Sequence, residues 1–166
     1  MGMNNQEGQS SNWLEKEVYQ KVLKTIPVVS VDLLVVDSNN RVLLGKRNNR
    51  PALGKWFVPG GRLNRYERLD EAVKRLSISE LGSEGKVIET LGVFHQIYPD
   101  NFIDETSGSH YITFATYITV PDNIVHDDQH DSMEWWKISD LLESNMVHEI
   151  TKNYFREVSR NRVSNL

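Results

Sequence analysis

The chain of 166 residues contains no cysteine, and this absence excludes several kinds of structure and chemistry. Disulfide bonds, zinc sites built from thiolates and cysteine nucleophiles all require that side chain. The sequence also lacks any apolar run near the ~20 residues that cross a bilayer, and its polar start, MGMNNQEGQSS, contains no apolar signal segment. We therefore expect a cytoplasmic protein with no membrane partner.

An excess of positive charge is also missing. The 19 Lys and Arg residues against 23 Asp and Glu residues give a net charge of −4. Nucleic-acid binding through phosphates needs clustered positive charge, so no nucleic-acid partner is expected, although a local basic patch could still hold a small anion. With 39% hydrophobic residues, the chain can bury a core. We assign residues 1–10 to a disordered N-terminus and residues 11–166 to a single domain.

Hydrophobic periodicity predicts a central helix with strands before and after it. The first predicted helix is capped by Asn12 and ends just before Pro27, and further helices are predicted at 68–81, 140–143 and 148–159. Strands are predicted at 28–36, 41–47, 56–58, 87–96, 110–120 and 133–138. Loops are predicted at 48–55 and 121–131, with a tight glycine turn at residues 59–61. This order predicts an α/β (α+β) fold with a mixed β-sheet.

The segment from Pro59 to Gly82, PGGRLNRYERLDEAVKRLSISELG, carries the most informative pattern in the chain. Two glycines, Gly60 and Gly61, let the backbone come close to a ligand. Glu80 lies at the edge of the apolar face of the following helix, where a carboxylate needs a partner. That partner is either a neighbouring basic residue such as Arg75 or a hard cation such as Mg²⁺.

The spacing in this segment resembles the Nudix box, which binds metal and diphosphate. The residues that fit are Gly61, Glu67, Arg75, Glu80 and Gly82. Leu76 and Ser79 stand where the family usually has glutamates, so the resemblance implies diphosphate chemistry of an unusual kind. Glu67 has two interpretations, as a carboxylate favoured at the start of the helix or as a metal ligand.

Other segments are similar to the GDP-mannose mannosyl hydrolases, a Nudix branch that also lacks those two glutamates. They are PVVSVD (27–32), LGKRNNRP (44–51), WFVPGGR (56–62), RLSISELG (75–82), YPDNF (98–102), HY (110–111) and DQHD (128–131). The resemblance implies a Nudix-type mixed β-sheet sandwiched between helices, and a homodimer. It also implies Mg²⁺-dependent hydrolysis of GDP-mannose, and often GDP-glucose, to GDP and free sugar, with Mn²⁺ as a substitute metal. Water would attack the anomeric carbon with inversion.

The resemblance also assigns roles to individual residues. The metal ligands it implies, all oxygen donors suited to Mg²⁺, are the carbonyl of Gly60 and the side chains of Glu80 and Gln129. The catalytic residues are His130 as general base, with Arg47 and Tyr111. The substrate-binding residues are Asp32, Arg47, Arg62, Tyr98 and Gln96. A histidine titrates near neutral pH and can take a proton from water, and arginine binds phosphate with two parallel hydrogen bonds.

One departure from the branch concerns Gln96, which stands where relatives usually have a histidine. His95 comes one residue earlier, but adjacent strand residues point to opposite faces, so His95 is not expected to replace it. Two other functions therefore stay open. One is a Nudix pyrophosphatase that cleaves a P–O bond of a nucleoside diphosphate derivative, and the other is a nucleotide-sugar sensor without catalysis.

Overall fold

The computed structural model describes the backbone of residues 14–120 and 130–163 and the side chains of residues 14–120 and 132–156. The N-terminus assigned as disordered and Gln129 lie outside these ranges. The helices are α1 (Lys16–Thr25), α2 (Leu69–Leu81), α3 (Ile138–Glu143) and α4 (Glu149–Val163). The strands are β1 (Val28–Val35), β2 (Arg41–Arg47), β3 (Trp56–Phe57), β4 (Gly60–Arg62), β5 (Lys86–Tyr98), β6 (Ser109–Thr119) and β7 (His130–Lys137).

The strands form two sheets. The larger has the order β4-β1-β6-β5, with β1 and β6 parallel and the other pairs antiparallel. The smaller has the order β3-β2-β7 and is antiparallel throughout. The predicted mixed α/β fold is therefore confirmed. No helix within the described ranges has both the length and the apolar character needed to cross a membrane.

The larger sheet lies between two helices, and its strand β1 is therefore buried on both faces. Alternate residues of a strand point to opposite faces. Val31, Leu33 and Val35 belong to one hydrophobic cluster, together with Ala72, Val73 and Leu76 of α2. Leu34 belongs to a second cluster, which contains Tyr154 and Phe155 of α4. Thus α2 and α4 pack against opposite faces of this sheet.

The predicted glycine turn is wrong, because Gly60–Arg62 forms the edge strand β4, antiparallel to β1. The two glycines are needed for close packing and not for a turn conformation. A Cβ on Gly60 would overlap the carbonyl oxygen of Val31 and lie 2.9 Å from Asp32 Oδ1. A Cβ on Gly61 would lie 2.6 Å from Leu76 Cδ2, so α2 packs directly on β4.

Several predicted boundaries differ from those of the structure. β5 continues to Tyr98 and β7 begins at His130, inside the predicted loop, since backbone pairing with β6 and β2 extends them beyond their apolar residues. Helix α1 begins at Lys16, later than predicted, with Glu15 and not Asn12 as its N-cap. The central helix is close to its predicted range and ends at Gly82, which adopts the left-handed conformation (φ 67°).

The close approach of β4 to β1 predicts that Gly60→Ala is strongly destabilising. The added methyl group meets rigid backbone, so we expect the free energy of unfolding to fall by about 3 kcal/mol. The control is Gly54→Ala, where φ is 75° and no atom lies within 4 Å of the new Cβ. It should lose only about 1 kcal/mol, through backbone strain alone. Urea unfolding of both variants measures the difference, and equal losses would contradict the packing at Gly60.

Candidate functional site

One face of the larger sheet collects most of the residues predicted to bind substrate. Residues paired directly across two strands point to the same face. β1 pairs Asp32 with Gly60 and Ser30 with Arg62, and β5 pairs Gln96 with Tyr111 of β6. The β1–β6 register joins the two halves of this face, where the Ser30 and Thr113 hydroxyl oxygens are 2.7 Å apart. We call this the polar face; α4 packs over part of it.

Four buried residues on the polar face, Asp32, Gln96, Tyr98 and Tyr154, form a hydrogen-bonded group that we call the Asp32 cluster. The Tyr154 hydroxyl donates to Asp32 Oδ2 at 2.5 Å, and Gln96 Nε2 donates to the same oxygen at 3.0 Å. The Tyr98 hydroxyl donates to Gln96 Oε1 at 3.0 Å, and the Gln96 amide also contacts the Tyr154 hydroxyl. Asp32 is only 6% exposed and Gln96 only 4%. Gln96 therefore serves as a neutral donor to a buried carboxylate.

Burial controls the electrostatics of the Asp32 cluster. Desolvation raises the pKa of Asp32 to about 6, against the opposing effects of the hydrogen bonds from Tyr154 and Gln96 and of the Arg47 charge. The pKa values of Tyr98 and Tyr154 are raised by burial and then by the negative charge of Asp32. Both tyrosines thus remain neutral hydrogen-bond donors at every physiological pH.

Arg47, at the end of β2, lies beside this cluster. Its positive charge acts on the pKa values of Asp32, Tyr98 and Tyr111. Its Nη2 donates to Asn49 Oδ1 at 2.8 Å, and its guanidinium carbon lies 5.9 Å from the centre of the Phe57 ring. Its Nε is buried and has no hydrogen-bond partner within the described residues. A buried cationic donor that lacks a partner suits an anionic ligand.

The other predicted phosphate-binding residues lie at the α1 end of the polar face. The Arg62 guanidinium carbon is 5.3 Å from the centre of the Tyr19 ring on α1. Burial raises the pKa of Tyr111, and a hydrogen bond with Tyr19 adds to this effect. The Tyr98 and Tyr111 rings meet edge to face, with centroids 5.9 Å apart. Tyr19, which the sequence did not indicate, therefore links both predicted contacts to the N-terminal helix.

The backbone of β4 explains how Gly60 could offer its carbonyl to a metal. Leu33 N donates to Pro59 O at 2.8 Å, and Leu63 N donates to Val29 O at 2.9 Å. Hydrogen-bonded and non-hydrogen-bonded pairs alternate in an antiparallel ladder. The Asp32–Gly60 pair is thus non-hydrogen-bonded, and the Gly60 carbonyl points away from β1. Because β4 is the edge strand, this oxygen faces outward from the sheet.

Glu80 approaches the same edge because α2 runs antiparallel to β4. Arg75 Nη2 donates to Arg62 O at 2.9 Å, and Leu76 packs against Gly61. The next turn of α2, which carries Glu80, therefore lies on the Gly60 side. Glu80 is only 2% exposed. A carbonyl and a carboxylate are hard oxygen donors, so these two residues fit a Mg²⁺ ion.

The rest of the Nudix-like box has structural roles. Glu67 accepts hydrogen bonds from Arg75 Nε at 2.5 Å and Nη2 at 2.8 Å, and from Asn64 N at 2.8 Å. The hydrogen bond from Arg75 lowers the pKa of Glu67 despite partial desolvation. Ser79 is exposed and donates to the carbonyl of Leu76 in its own helix. Of the two interpretations of Glu67, this geometry favours a structural role, although Arg68 and not Glu67 is the N-cap of α2.

The predicted catalytic base, His130, lies opposite Arg47 on the neighbouring strand of the smaller sheet. His130 is the first residue of β7 and pairs with Arg47 of β2, next to an irregularity in the register. The side chain of His130 and the whole of Gln129 lie outside the described part of the chain. The role of each therefore stays a prediction, but the backbone brings positions 47 and 130 together.

His95 does not take the place of Gln96. It is exposed on the opposite face of the sheet, where its Nδ1 lies 3.1 Å from Nε2 of His110. Tyr154 and His148 are site residues that the sequence analysis missed. Tyr154 belongs to an apolar helix face and so resembles an ordinary core residue, while His148 is the first residue of a predicted helix and resembles an ordinary end residue.

The sequence is similar to those of known proteins. A family profile described as the NUDIX domain matches residues 26–158. The chain is 34% identical to the low-salt glycan biosynthesis protein Agl8 of Haloferax volcanii over 131 residues, which are 78% of this chain and 83% of the relative. It is 30% identical to an ADP-ribose pyrophosphatase of Methanocaldococcus jannaschii over 132 residues, 78% of this chain and 74% of that protein.

Solved structures share the fold. A MutT protein from Methanosarcina mazei Go1 superposes with a TM-score of 0.71 at 22% identity, covering 83% of this chain and 97% of that one. A UDP-X diphosphatase superposes with a TM-score of 0.60 at 19% identity, covering 90% and 73%. The chain therefore belongs to the Nudix family. It is a Nudix hydrolase, a class that acts on nucleoside diphosphate derivatives.

The raised pKa of Asp32 predicts a characteristic dependence of stability on pH. The folded state holds the Asp32 proton up to about pH 6, whereas the unfolded chain loses it near 3.8. The wild type should therefore lose about 2 kcal/mol relative to Asp32→Asn between pH 4 and pH 7.5, without divalent metal. Urea unfolding of both proteins at the two pH values measures this.

The control for this experiment is Asp37→Asn. At Asp37 the effect of desolvation is outweighed by hydrogen bonds from Arg41, so the pKa is lowered. The wild type should then gain stability relative to Asp37→Asn as the pH rises, which is the opposite sign. A stability difference between wild type and Asp32→Asn that stays constant with pH would show that Asp32 is not held in a desolvated site.

Proposed function

We propose that this Nudix hydrolase cleaves GDP-mannose, or GDP-glucose, to GDP and free sugar, with water attacking the anomeric carbon with inversion. The observation that carries the proposal is the reduced set of acids on α2. Glu80 is buried towards the Gly60 edge, while Leu76 packs on Gly61 and Ser79 bonds to its own helix. Attack at phosphorus in this family draws on several helix carboxylates, and the two that are missing here are also missing in the GDP-mannose mannosyl hydrolases.

The donors at this edge support one Mg²⁺ ion. The Gly60 carbonyl, the Glu80 carboxylate and, from the resemblance, the Gln129 side chain would hold it. When bound, the ion supplies Lewis-acid neutralisation of the charge that GDP gains as it leaves. GDP is a far better leaving group than the alcohol of an ordinary glycoside, so no strong general acid is required.

Two arginines would orient the diphosphate. The buried Nε of Arg47 has no partner within the described residues, and Arg62 shares the polar face with Asp32. A guanidinium donates two parallel hydrogen bonds to phosphate and stabilises growing negative charge. Tyr111, opposite Gln96, would add its hydroxyl, and Asp32, Gln96 and Tyr98 would line the sugar site.

His130 would act as the general base. The backbone pairing of position 130 with Arg47, a predicted phosphate contact, supports this role. A histidine there can accept the proton of the attacking water at neutral pH. The homodimer implied by the resemblance belongs to the same proposal, and the exposed apolar residues Leu14 and Val18 at the N-terminal end of the described chain are what such an interface would use.

A second candidate function comes from the relatives. The Methanocaldococcus jannaschii protein is named an ADP-ribose pyrophosphatase, which favours P–O bond cleavage in this chain as well. The Haloferax volcanii relative is named a glycan biosynthesis protein, which favours a sugar nucleotide. Hydrolysis in ¹⁸O-labelled water separates the two candidates, because the labelled atom enters whichever product is attacked.

We expect GDP-mannose with Mg²⁺ in ¹⁸O water to yield labelled mannose and unlabelled GDP by mass spectrometry. Glu80→Gln should lower the turnover rate by about 10²-fold or more, since a metal contributes several kcal/mol to such reactions. The matched control is Glu84→Gln, an exposed acid that pairs with Lys74 and should turn over like the wild type. Label in a phosphate product would establish the pyrophosphatase instead, and tight binding without turnover would establish a sensor.

A further inference from the structure

His148 occupies a fixed position immediately before α4. Its Nδ1 accepts a hydrogen bond from the backbone N–H of Ile150 at 3.2 Å, so its side chain caps the helix. Its own backbone N–H donates to the carbonyl of Trp56 at 3.1 Å, which ties it to β3. The capping bond therefore fixes the imidazole ring, and the bond to Trp56 fixes the backbone of His148.

The cap determines the tautomer of the ring. A neutral imidazole carries one proton, and the nitrogen that accepts a hydrogen bond cannot hold it. Because Nδ1 is the acceptor, Nε2 carries the proton in neutral His148. The cap uses Nδ1 alone, so the Nε2–H group takes no part in it. The ring thus has one donor available to a ligand.

The ring of His148 connects the two parts of the candidate site. Its centroid lies 5.4 Å from that of Phe57 and 5.6 Å from that of Tyr98. Phe57 also contacts the guanidinium of Arg47, and Tyr98 belongs to the Asp32 cluster. His148 therefore lies between the predicted phosphate-binding arginine and the predicted sugar site.

Burial favours the neutral form of the His148 ring. Burial lowers its pKa, the positive charges of Lys55 and Arg47 lower it further, and Glu149 and Asp100 oppose this only in part. A neutral donor can bind a phosphate oxygen without a change in its own protonation.

We propose that His148 is a further substrate-binding residue, whose Nε2–H group donates a hydrogen bond to a diphosphate oxygen of the bound nucleotide next to Arg47. This inference rests on the proposed function only in requiring a nucleoside diphosphate ligand. It extends that function by assigning part of the diphosphate recognition to the start of α4, outside the Nudix-like box.

The test separates binding from capping with His148→Asn. Asparagine is among the best N-cap residues, so the cap is retained, and the loss of the ring contacts with Phe57 and Tyr98 should lower the free energy of unfolding by only about 1 kcal/mol. The hydrogen bond to a charged group is lost, and we expect the Kd for GDP with Mg²⁺, measured by calorimetry, to rise about 10-fold or more. The control is His110→Asn, on the opposite face of the sheet, which should bind GDP like the wild type.

Long-range ¹H–¹⁵N spectra provide a readout that a purely structural role would not change. The wild type should show His148 protonated at Nε2 across pH 6–8, with a shift of that nitrogen when GDP and Mg²⁺ are added. An unchanged Nε2 signal, or GDP binding by His148→Asn equal to that of the wild type, would reduce His148 to a helix cap.

Failure of the proposed function would look different. If the wild type binds and cleaves ADP-ribose but not GDP-mannose, the GDP-sugar proposal is wrong. The same three proteins are then compared with ADP-ribose, which also contains a diphosphate. A rise in Kd for His148→Asn alone would support His148 as a diphosphate contact, and equal binding by all three proteins would overturn it.

Discussion

The burial of one carboxylate, that of Asp32, is the constraint around which the site is arranged. A carboxylate inside an apolar strand loses its hydration, so it needs donors from other parts of the chain. Gln96 of β5 and Tyr154 of α4 supply them. These hydrogen bonds connect the first strand of the sheet to the last helix, and they connect the fold to the chemistry, because the same group of residues lies beside Arg47.

The edge of the sheet supplies the second part of the site through backbone geometry. Gly60 lies so close to β1 that no side chain fits, and the strand alternation turns its carbonyl outward. Packing of Leu76 on Gly61 then brings the last turn of α2, with Glu80, to the same edge. Because Gly60 pairs with Asp32, the oxygen donors of this edge lie next to the Asp32 cluster. In this arrangement Leu76 packs on Gly61 and Ser79 bonds to its own helix, which supports the single ion of the proposed function.

Local patterns in the sequence predict the strands β1 and β2 and the helix α2. Apolar runs mark the strands, and Gly82 marks the end of the helix. They misassign Gly60–Arg62, because a glycine pair in a close-packed strand has the same letters as a glycine pair in a turn. Asp32 stands out in the sequence because it interrupts an apolar strand. Its partner Tyr154 lies 122 residues away, and no local spacing reports such a contact. His148 was missed for the same reason, since its importance comes from rings that pack against it from β3 and β5.

The central claim is that one hard cation at the Gly60 edge and the polar face act together on a bound nucleoside diphosphate. A crystal structure of the protein with Mn²⁺ and GDP, with the ion located by its anomalous scattering, tests this most directly. The account predicts Mn²⁺ bonded to Glu80 and to the Gly60 carbonyl, with the GDP phosphates between this ion and Arg47. GDP bound elsewhere, or an ion that does not touch Glu80, would contradict it.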